Sequence, residues 1–359
     1  MPGWSAEEVL TLSLLPKLSA QLLRRLLQEY PDFATLERTA GTGLAQLHLF
    51  EDSALRSARS RAQEILERCH ALGIAVVPLP DPRYPPLLRH IPYPPVVLYI
   101  RGQLQPETVP VISIVGTRRC TPYGKLCAER FTEACVHAGA VVCSGLAHGI
   151  DSIAHQAALR AGGITYAVIA CGIDRIQPYT AARLAERIAD AGGAVLSEYP
   201  PGTRALPAYF PQRNRIISGV ARAVLVVESG IPGGALITAQ FAFDQGREVY
   251  AIPGNITAPK SAGTNMLIRR QVATPALSPE EFLADLGLYT APRAASAPAF
   301  TSPTEELLYG LLSDEPLHID QLAERAQLPV QEVLAALLEL EFRGLVQQLP
   351  GKHFVRVPM

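Results

Sequence analysis

The sequence predicts an α/β protein built on a doubly wound, mainly parallel sheet, with an all-α domain before the sheet and a winged-helix domain after it. Three observations predict it. Between Val109 and Gly254 six short apolar runs, "VPVISIV", "AVVCS", "TYAVIAC", "AVLSEY", "AVLVVES" and "EVYAIPG", alternate with amphipathic segments. Runs that are apolar on both faces suit strands buried between two layers of helices. The first seventy or so residues instead show apolar positions at three-to-four spacing, the period of short helices. Beyond "GLYTAPRAASAPAFTSP" the chain offers three further helical segments and then two short strands around Pro350-Gly351, which is the winged-helix plan.

Taken in order, "EEVLTLSLL", "SAQLLRRLLQEY" and "EDSALRSARSRAQEILERCHAL" are the first helices, with Ser19 and Asp52 as N-caps. The following "VVPLPDPRYPPLLRHIPYPPVVLYIRG" is rich in proline, so regular structure is expected only at Val96 to Ile100, as an edge strand. Between the six strands the helices are expected near Tyr123 to His137, Ser152 to Ala161, Ala181 to Ala191, Arg215 to Val220 and Leu236 to Gln245. Gly287 to Pro303, made largely of Ala, Ser and Pro, reads as a linker. The expected domains are 1–75 (helical, of the SAM or helix-hairpin-helix kind), 76–286 (the sheet), the linker 287–303, and 304–359 (winged helix). No internal repeat is present.

Composition narrows the function. At 359 residues and 48% hydrophobic content, two or three domains with sizeable cores are expected. The 32 Lys and Arg nearly balance the 33 Asp and Glu, so any site for a polyanion must be a local patch. No stretch approaches the roughly 18 consecutive apolar residues of a spanning helix, and no basic segment leads into an apolar core at the N-terminus, which predicts a soluble cytoplasmic protein without membrane contact. The six cysteines form no C-x-x-C pair and read as reduced, mostly buried thiols.

The candidate site lies at the carboxyl ends of the strands, where an open α/β sheet places its ligand. Glycine recurs there: Gly116, Gly145 with Gly149, Gly172, Gly230 with Gly233 and Gly234, and Gly254. Small residues let backbone N–H groups approach a ligand, and a helix N-terminus beyond each turn favours negative charge. Gly116-Thr117-Arg118 lacks the further glycines of the dinucleotide fingerprint, and no acidic residue closes the next strand to grip a ribose. Arg118 and Arg119 stand where those glycines would be, and their forks suit phosphate oxygens. In "AYFPQRNRIISG", the rings of Tyr209 and Phe210 and the cations Arg213 and Arg215 combine stacking with charge, as single-stranded nucleic acid requires. The alternative is structural: Phe210 fills a core gap, and Arg213 or Arg215 pairs with Glu198 or Glu228.

Ser144, His148 and Asp151 carry the letters of a catalytic triad, yet their close spacing on one loop does not align nucleophile, base and orienter. His148 and His155 lack plausible carboxylate or thiolate partners for a metal. Asp151 is read as an N-cap of the helix at Ser152 or as an acceptor for groove-lining amides.

"IVGTRRCTPYG", "SGLAHGIDSIAHQAAL", "SEYPPGT", "FPQRNRIISG", "VVES", "GGALITAQFAFDQGREVYAIPGN" and "SAGTNMLI" follow one another over roughly Pro78 to Thr274. In this ordered series the chain resembles the DNA-processing protein A (DprA/Smf) family. The resemblance implies an extended Rossmann-like domain that binds single-stranded DNA, forms a homodimer and helps load the RecA recombinase on incoming strands during natural transformation. It implies no catalysis, cofactor or metal. The family's first loop falls on Gly116, Thr117 and Arg118, and its Arg-Asn-Arg motif on Arg213, Asn214 and Arg215. The chain departs from the family pattern at Gln177, where tyrosine is usual, at Ala181, and in "GGALIT", which replaces Ser-Gly-Ser. "LPKLSAQLLRRLL" lacks the Gly-x-Gly turn of a helix-hairpin-helix, so no DNA binding is assigned to it.

The expected DNA-binding residues are Gly116, Thr117, Arg118, Arg119, Ser144, Gly145, Gly149, Asp151, Phe210, Arg213, Asn214, Arg215, Gly233, Gly234 and Thr238. Amides of Gly116 and Thr117 with the fork of Arg118 are expected to hold a phosphate, with bases towards Phe210. Two other functions compete. "IPGGALIT" partly echoes the Pro-Gly-Gly-x-Gly-Thr loop of Rossmann-like enzymes that cleave nucleoside monophosphates, and the tail suggests a transcription regulator. The tail segment "PVQEVLAALLELEFRGLV" has few cations for duplex phosphates and reads instead as an interaction or regulatory module.

Overall fold

The computed structural model describes residues 3–16, 18–38, 52–288, 300–313 and 316–357. They form two compact units, Met1–Tyr289 and Thr290–Met359.

Helices α1 (Ala6–Ser13), α2 (Ala20–Glu29), α3 (Phe33–Arg38) and α4 (Asp52–Ala71) open the first unit. The Ser19 hydroxyl accepts from the Leu22 amide at 3.2 Å and caps α2 as its position predicts. The side chain of Asp52 lies outside the described residues. Trp4, Val9, Leu12, Leu23 and Ala62 of this helical segment share one buried cluster with Tyr99, Ala167 and Val195 of the sheet, so helices and sheet are joined through a common core.

The sheet is assembled from β1 (Ala75–Pro78), β2 (Val97–Gly102), β3 (Val111–Val115), β4 (Val141–Ser144), β5 (Thr165–Ile169), β6 (Ala194–Ser197), β7 (Ala223–Val226), β8 (Glu248–Ala251) and β9 (Thr274–Pro275). Their order is β1-β2-β6-β5-β4-β3-β7-β8-β9. From β6 to β9 every pairing is parallel, while β1 and β2 join antiparallel at one edge. The chain winds outward from β3 to β6 and restarts on the other side of β3 at β7, which places the topological switch between β3 and β7.

Alternate residues of each strand supply two cores. Ile112, Ile114 and Val142 pack with Phe131 of α6 (Pro122–His137) and Ile150 and Ala154 of α7 (Ile150–Arg160). Val115, Cys143 and Val168 pack on the opposite face with Ile216 and Ile217 of α9 (Tyr209–Gly219) and Ala239 of α10 (Gly234–Asp244). The doubly wound plan is therefore the observed one. Between those helices, α8 (Tyr179–Asp190) covers β5 and β6 together with the helical segment.

The structure corrects the sequence expectations at two places. Val97–Gly102 is not the edge strand: the proline-rich connector forms β1 outside it, with Pro78 opposite Val97. An edge strand has one unpaired side, which is where a residue without an N–H is tolerated. The connector also forms α5 (Pro86–Arg89) and buries Tyr84, whose hydroxyl donates to the Pro95 carbonyl at 2.8 Å. After β8 the chain adds α11 (Ala262–Arg269), β9 and α12 (Pro279–Asp285), which lack a long apolar run.

The second unit comprises α13 (Pro303–Leu311), β10 (Leu317–His318), α14 (Ile319–Ala326), α15 (Val330–Phe342), β11 (Val346–Leu349) and β12 (His353–Arg356), in the expected winged-helix arrangement. Leu308, Leu322, Leu337 and Phe354 form its core. Most of the expected linker, 289–299, lies outside the described residues. All six cysteines are unpaired, and burial pushes Cys135 and Cys143 up to about 12, which leaves them inert as thiolates at neutral pH. Among the described residues no helix is long and apolar enough to cross a membrane.

His155 of α7 makes this fold sensitive to acid. The Thr165 hydroxyl donates to the Val142 carbonyl at 2.7 Å, so it accepts from His155 Nδ1 at 2.7 Å, and Nε2 has no partner among the described residues. Burial, helped by the Arg213 charge, drives the imidazole down to about 3. The unfolded chain takes up a proton near pH 6.5, whereas in the native state the buried ring would carry it on Nε2 without a partner or solvent, so stability is complete above pH 6.5 and falls from there towards pH 3. We predict that His155 removes about 2 kcal/mol of unfolding free energy between pH 7.5 and pH 5. Urea titrations of wild type and His155→Leu at both pH values check it: the variant's loss should be smaller by that amount.

Candidate functional site

The loops after β3, β4 and β7 meet at the topological switch, and two carboxylates of the protein organise them. Glu228, 2% exposed at the end of β7, accepts from the Thr121 amide at 2.9 Å and the Thr121 hydroxyl at 2.5 Å, at the N-terminus of α6. Its backbone carbonyl accepts from the Thr117 amide at 2.8 Å. A side chain on Gly124 would begin 2.3 Å from Glu228 Oε2, so this approach requires glycine.

Asp151 does the same for the loop after β4. It stands in the first turn of α7, which Gly149 and not Asp151 caps, and its Oδ2 accepts from the Gly145 amide at 3.2 Å. The N-cap expectation is thus corrected and the acceptor reading retained, but the amides it gathers are lost to a ligand. Burial pushes the Asp151 carboxyl up, while the Arg213 charge and the amides of Ala147 and Gly116 pull it back. Arg213, equally buried, donates through Nη1 to the carbonyls of Gly145 (2.5 Å) and Val168. A Cβ on Gly145 would lie 2.7 Å from both Arg213 Nη1 and Asp151 Oδ2. Gly149 adopts φ +79°, and a Cβ there would lie 2.3 Å from the Thr117 carbonyl, which locks the second loop against the first.

These contacts redistribute the residues expected from the sequence. The Thr117 amide is taken by the Glu228 backbone carbonyl and the Gly145 amide by Asp151, so part of the backbone cradle expected for a phosphate is filled by the protein's own groups. Ser144, Asp151, Arg213 and Thr238 are buried, and of the four only Arg213 lines the cleft. The Ser144 hydroxyl donates to the Ile114 carbonyl at 2.6 Å, which removes it as a nucleophile. Arg215 is the paired cation of the structural alternative: it grips both oxygens of Glu198 at 2.6 and 2.9 Å and donates to the Tyr93 carbonyl. Asn214 reaches the Gly234 carbonyl at 3.4 Å; Gly233 and Gly234 open α10 outside the cleft described next.

Above this floor is a cleft of about 730 Å³ between the loops after β4, β5 and β6 and the start of α9. Arg118 and Phe210 meet at its wall, with the guanidinium carbon 5.6 Å from the ring centroid. Arg175 and Arg204 join them, and among the described residues no carboxylate lines the cleft. Arg118, Arg119 and Arg204 are exposed and have no carboxylate partner among the described residues, so a chain with net charge −1 concentrates uncompensated positive charge here. Sequence reasoning missed Arg175 and Arg204. Arg175 follows Asp174, whose carboxylate is taken by Arg68 at 2.6 Å and by the Gly202 amide at 2.7 Å, which ties the β5 and β6 loops to α4. Arg204 had a signal, a lone cation in the long "YPPGTRALPAYF" loop.

The sequence model for DNA recombination-mediator protein A matches residues 75–287, and that for the DprA winged helix domain matches 291–352. The chain belongs to the DNA recombination-mediator protein A family. Protein Smf of Escherichia coli is 37% identical over 335 residues, which cover 91% of this chain and 88% of the relative. DNA processing protein DprA of Bacillus subtilis is 41% identical over 199 residues, 55% of this chain and 67% of the relative. The crystal structure of DprA from Streptococcus pneumoniae superposes with a TM-score of 0.66 at 30% identity and covers 79% of this chain and 99% of its own. A DprA structure from Helicobacter pylori, determined for its single-stranded DNA binding mode, gives a TM-score of 0.53 at 26% identity over 59% of this chain and 95% of its own. In this member of the DprA family the cationic cleft sits at the carboxyl edge of the family's sheet.

Removing one member of the Asp151–Arg213 pair leaves a buried charge alone. Asp151→Ala and Arg213→Ala are each expected to destabilise the fold by about 3 kcal/mol, and the double variant by less than their sum. Arg118→Ala should leave stability unchanged. Thermal or urea unfolding of the four variants checks this.

Proposed function

We propose that this protein mediates recombination by binding single-stranded DNA in the Arg118–Phe210 cleft and helping to load RecA on the bound strand during natural transformation. The observation that carries the reading is the pair Arg118 and Arg204, without carboxylate partners among the described residues, beside the Phe210 ring, with Arg175 next to them in a weak 3.8 Å contact with Asp174. Arg118, Arg119, Arg175 and Arg204 supply phosphate contacts, and Phe210 offers a face to a base, with Arg118 released from the ring to a phosphate as the base arrives. Because the Thr117 and Gly145 amides are already occupied, affinity rests mainly on side-chain charge and is steeply dependent on salt.

The protein acts as a homodimer in the cytoplasm, without catalysis. Ile231 and Ile256, 56% and 93% exposed around one shallow depression, are apolar groups that a second copy would cover. The winged-helix unit contributes little to duplex binding. Residues 303–359 carry nine Asp and Glu against four Lys and Arg, and the outer face of α15 presents Val330, Leu334, Leu338 and Phe342. That face suits a protein surface better than a groove of DNA.

Fluorescence anisotropy with an oligothymidylate tests the cleft. Arg118→Ala should weaken binding about tenfold, and Arg118→Ala/Arg204→Ala should also flatten the salt dependence by about two phosphate contacts. Unchanged affinity in the double variant would reject the cleft as the site. Incubation with AMP and chromatography separates this reading from the nucleotide-cleaving one, since free adenine would establish the latter.

A further inference from the structure

A second cationic cavity lies away from the cleft. It measures about 630 Å³ and is enclosed by α2, the turn after β1 and the segment from Arg89 to Pro94, so it belongs to the seam between helical segment and sheet. Arg24, Arg25, Arg89 and His90 line it, with no carboxylate in its wall. The Tyr93 ring, 61% exposed, stands at the rim with the Arg24 guanidinium carbon 5.5 Å from its centroid. Arg24 is held in place by the Pro94 carbonyl at 3.1 Å, and Arg89 by the Asp81 carbonyl at 2.8 Å. These bonds fix the two cations without neutralising them. Burial and the neighbouring Arg215 charge both lower the pKa of Arg24, so an anion arriving beside it relieves an existing repulsion. The Arg25–Glu29 pair is exposed and contributes little neutralisation.

The start of α9 links this cavity to the cleft. Phe210 enters the cleft, and Arg215, five residues on and about 7.5 Å along the helix axis, donates to the Tyr93 carbonyl at 2.9 Å. Beside this helix start Tyr199 and Tyr209 stack at 4.2 Å, and the Tyr199 hydroxyl donates to Gln212, one turn before Arg215, at 3.2 Å. The same helix thus carries aromatic rings and the cation that reaches Tyr93, with the Glu198 carboxylate neutralised by Arg215.

From this arrangement we infer that the Arg24–Tyr93 cavity is a second nucleotide subsite, which takes a phosphate on Arg24 and Arg89 and a base on the Tyr93 ring. Its occupant is the single strand that leaves the cleft over the Tyr199–Tyr209 ridge. The inference rests on the proposed binding of single strands in the cleft and extends their footprint onto the helical segment. A free nucleotide offers the same phosphate and base, so the test separates the two sources.

The full-length chain is compared with Arg89→Ala/Tyr93→Ala, which removes a phosphate contact and the ring of the inferred subsite at two exposed positions. Anisotropy is measured with oligothymidylates of about 6 and about 20 nucleotides, lengths that fill one subsite or span both. The long strand should bind the variant about tenfold more weakly, while the short strand binds it as it binds wild type. Equal binding of the long strand to both proteins overturns the inference, as does thymidine monophosphate protecting Tyr93 from nitration when the long strand does not. Arg118→Ala is the separate control. If it leaves the short strand's affinity unchanged, the cleft reading fails, whereas a loss confined to the long strand in the Tyr93 variant concerns this subsite alone.

Discussion

The electrostatic coupling of buried Asp151 and Arg213 across Gly145 is the constraint on which the site depends. It sits under the switch point of the sheet, where backbone amides of successive loops converge and would otherwise be unsatisfied. Asp151 accepts from those amides, and Arg213 answers with donors for the carbonyls of Gly145 and Val168. Each charge is tolerable in the interior only because the other is present. The glycine at 145 follows from the pair, since no side chain fits between the two groups. The same logic places glycine at 124 against Glu228.

This explains how a chain with balanced charge can present a cationic cleft. The carboxylates nearest the switch point, Asp151 and Glu228, are turned inward onto amides, and Asp174 and Glu198 are consumed by Gly202, Arg68 and Arg215. On the cleft side Arg118 and Arg204 have no such partners among the described residues, and Arg175 keeps only a 3.8 Å contact with the shared Asp174. Positive potential arises there from the sequestration of acids rather than from an excess of bases, and its reach in solution is about a Debye length.

The sheet was legible because its strands are buried on both faces and read as unbroken apolar runs, as in "TYAVIAC". β1 and β9 were not, because an edge strand of two to four residues containing proline carries neither an alternating nor a continuous pattern. At the site, glycines marked the loops correctly, and Arg118 and Phe210 were placed on one wall as their chemistry suggested. The Thr117 amide is not free as its sequence context suggests, because a turn rich in amides looks the same in sequence whether a ligand or a distant carbonyl receives them. Glu228 is 111 residues from Thr117, a separation no local motif spans. Arg213 and Arg215 show the same limit: both belong to one motif, yet one braces the floor and the other holds Glu198 and the Tyr93 carbonyl.

Filled amides also determine what kind of ligand the cleft can discriminate. A cradle of free N–H groups fixes a single phosphate at one point and suits a cofactor with a defined geometry. Here two of the loop amides are taken, and under the proposed reading a ligand would meet guanidinium groups and a ring, which tolerate displacement along a chain of equivalent phosphates and accept any base with a π face. Such a surface would hold a polymer without reading its sequence, and would let a bound strand move by one repeat without loss of contacts.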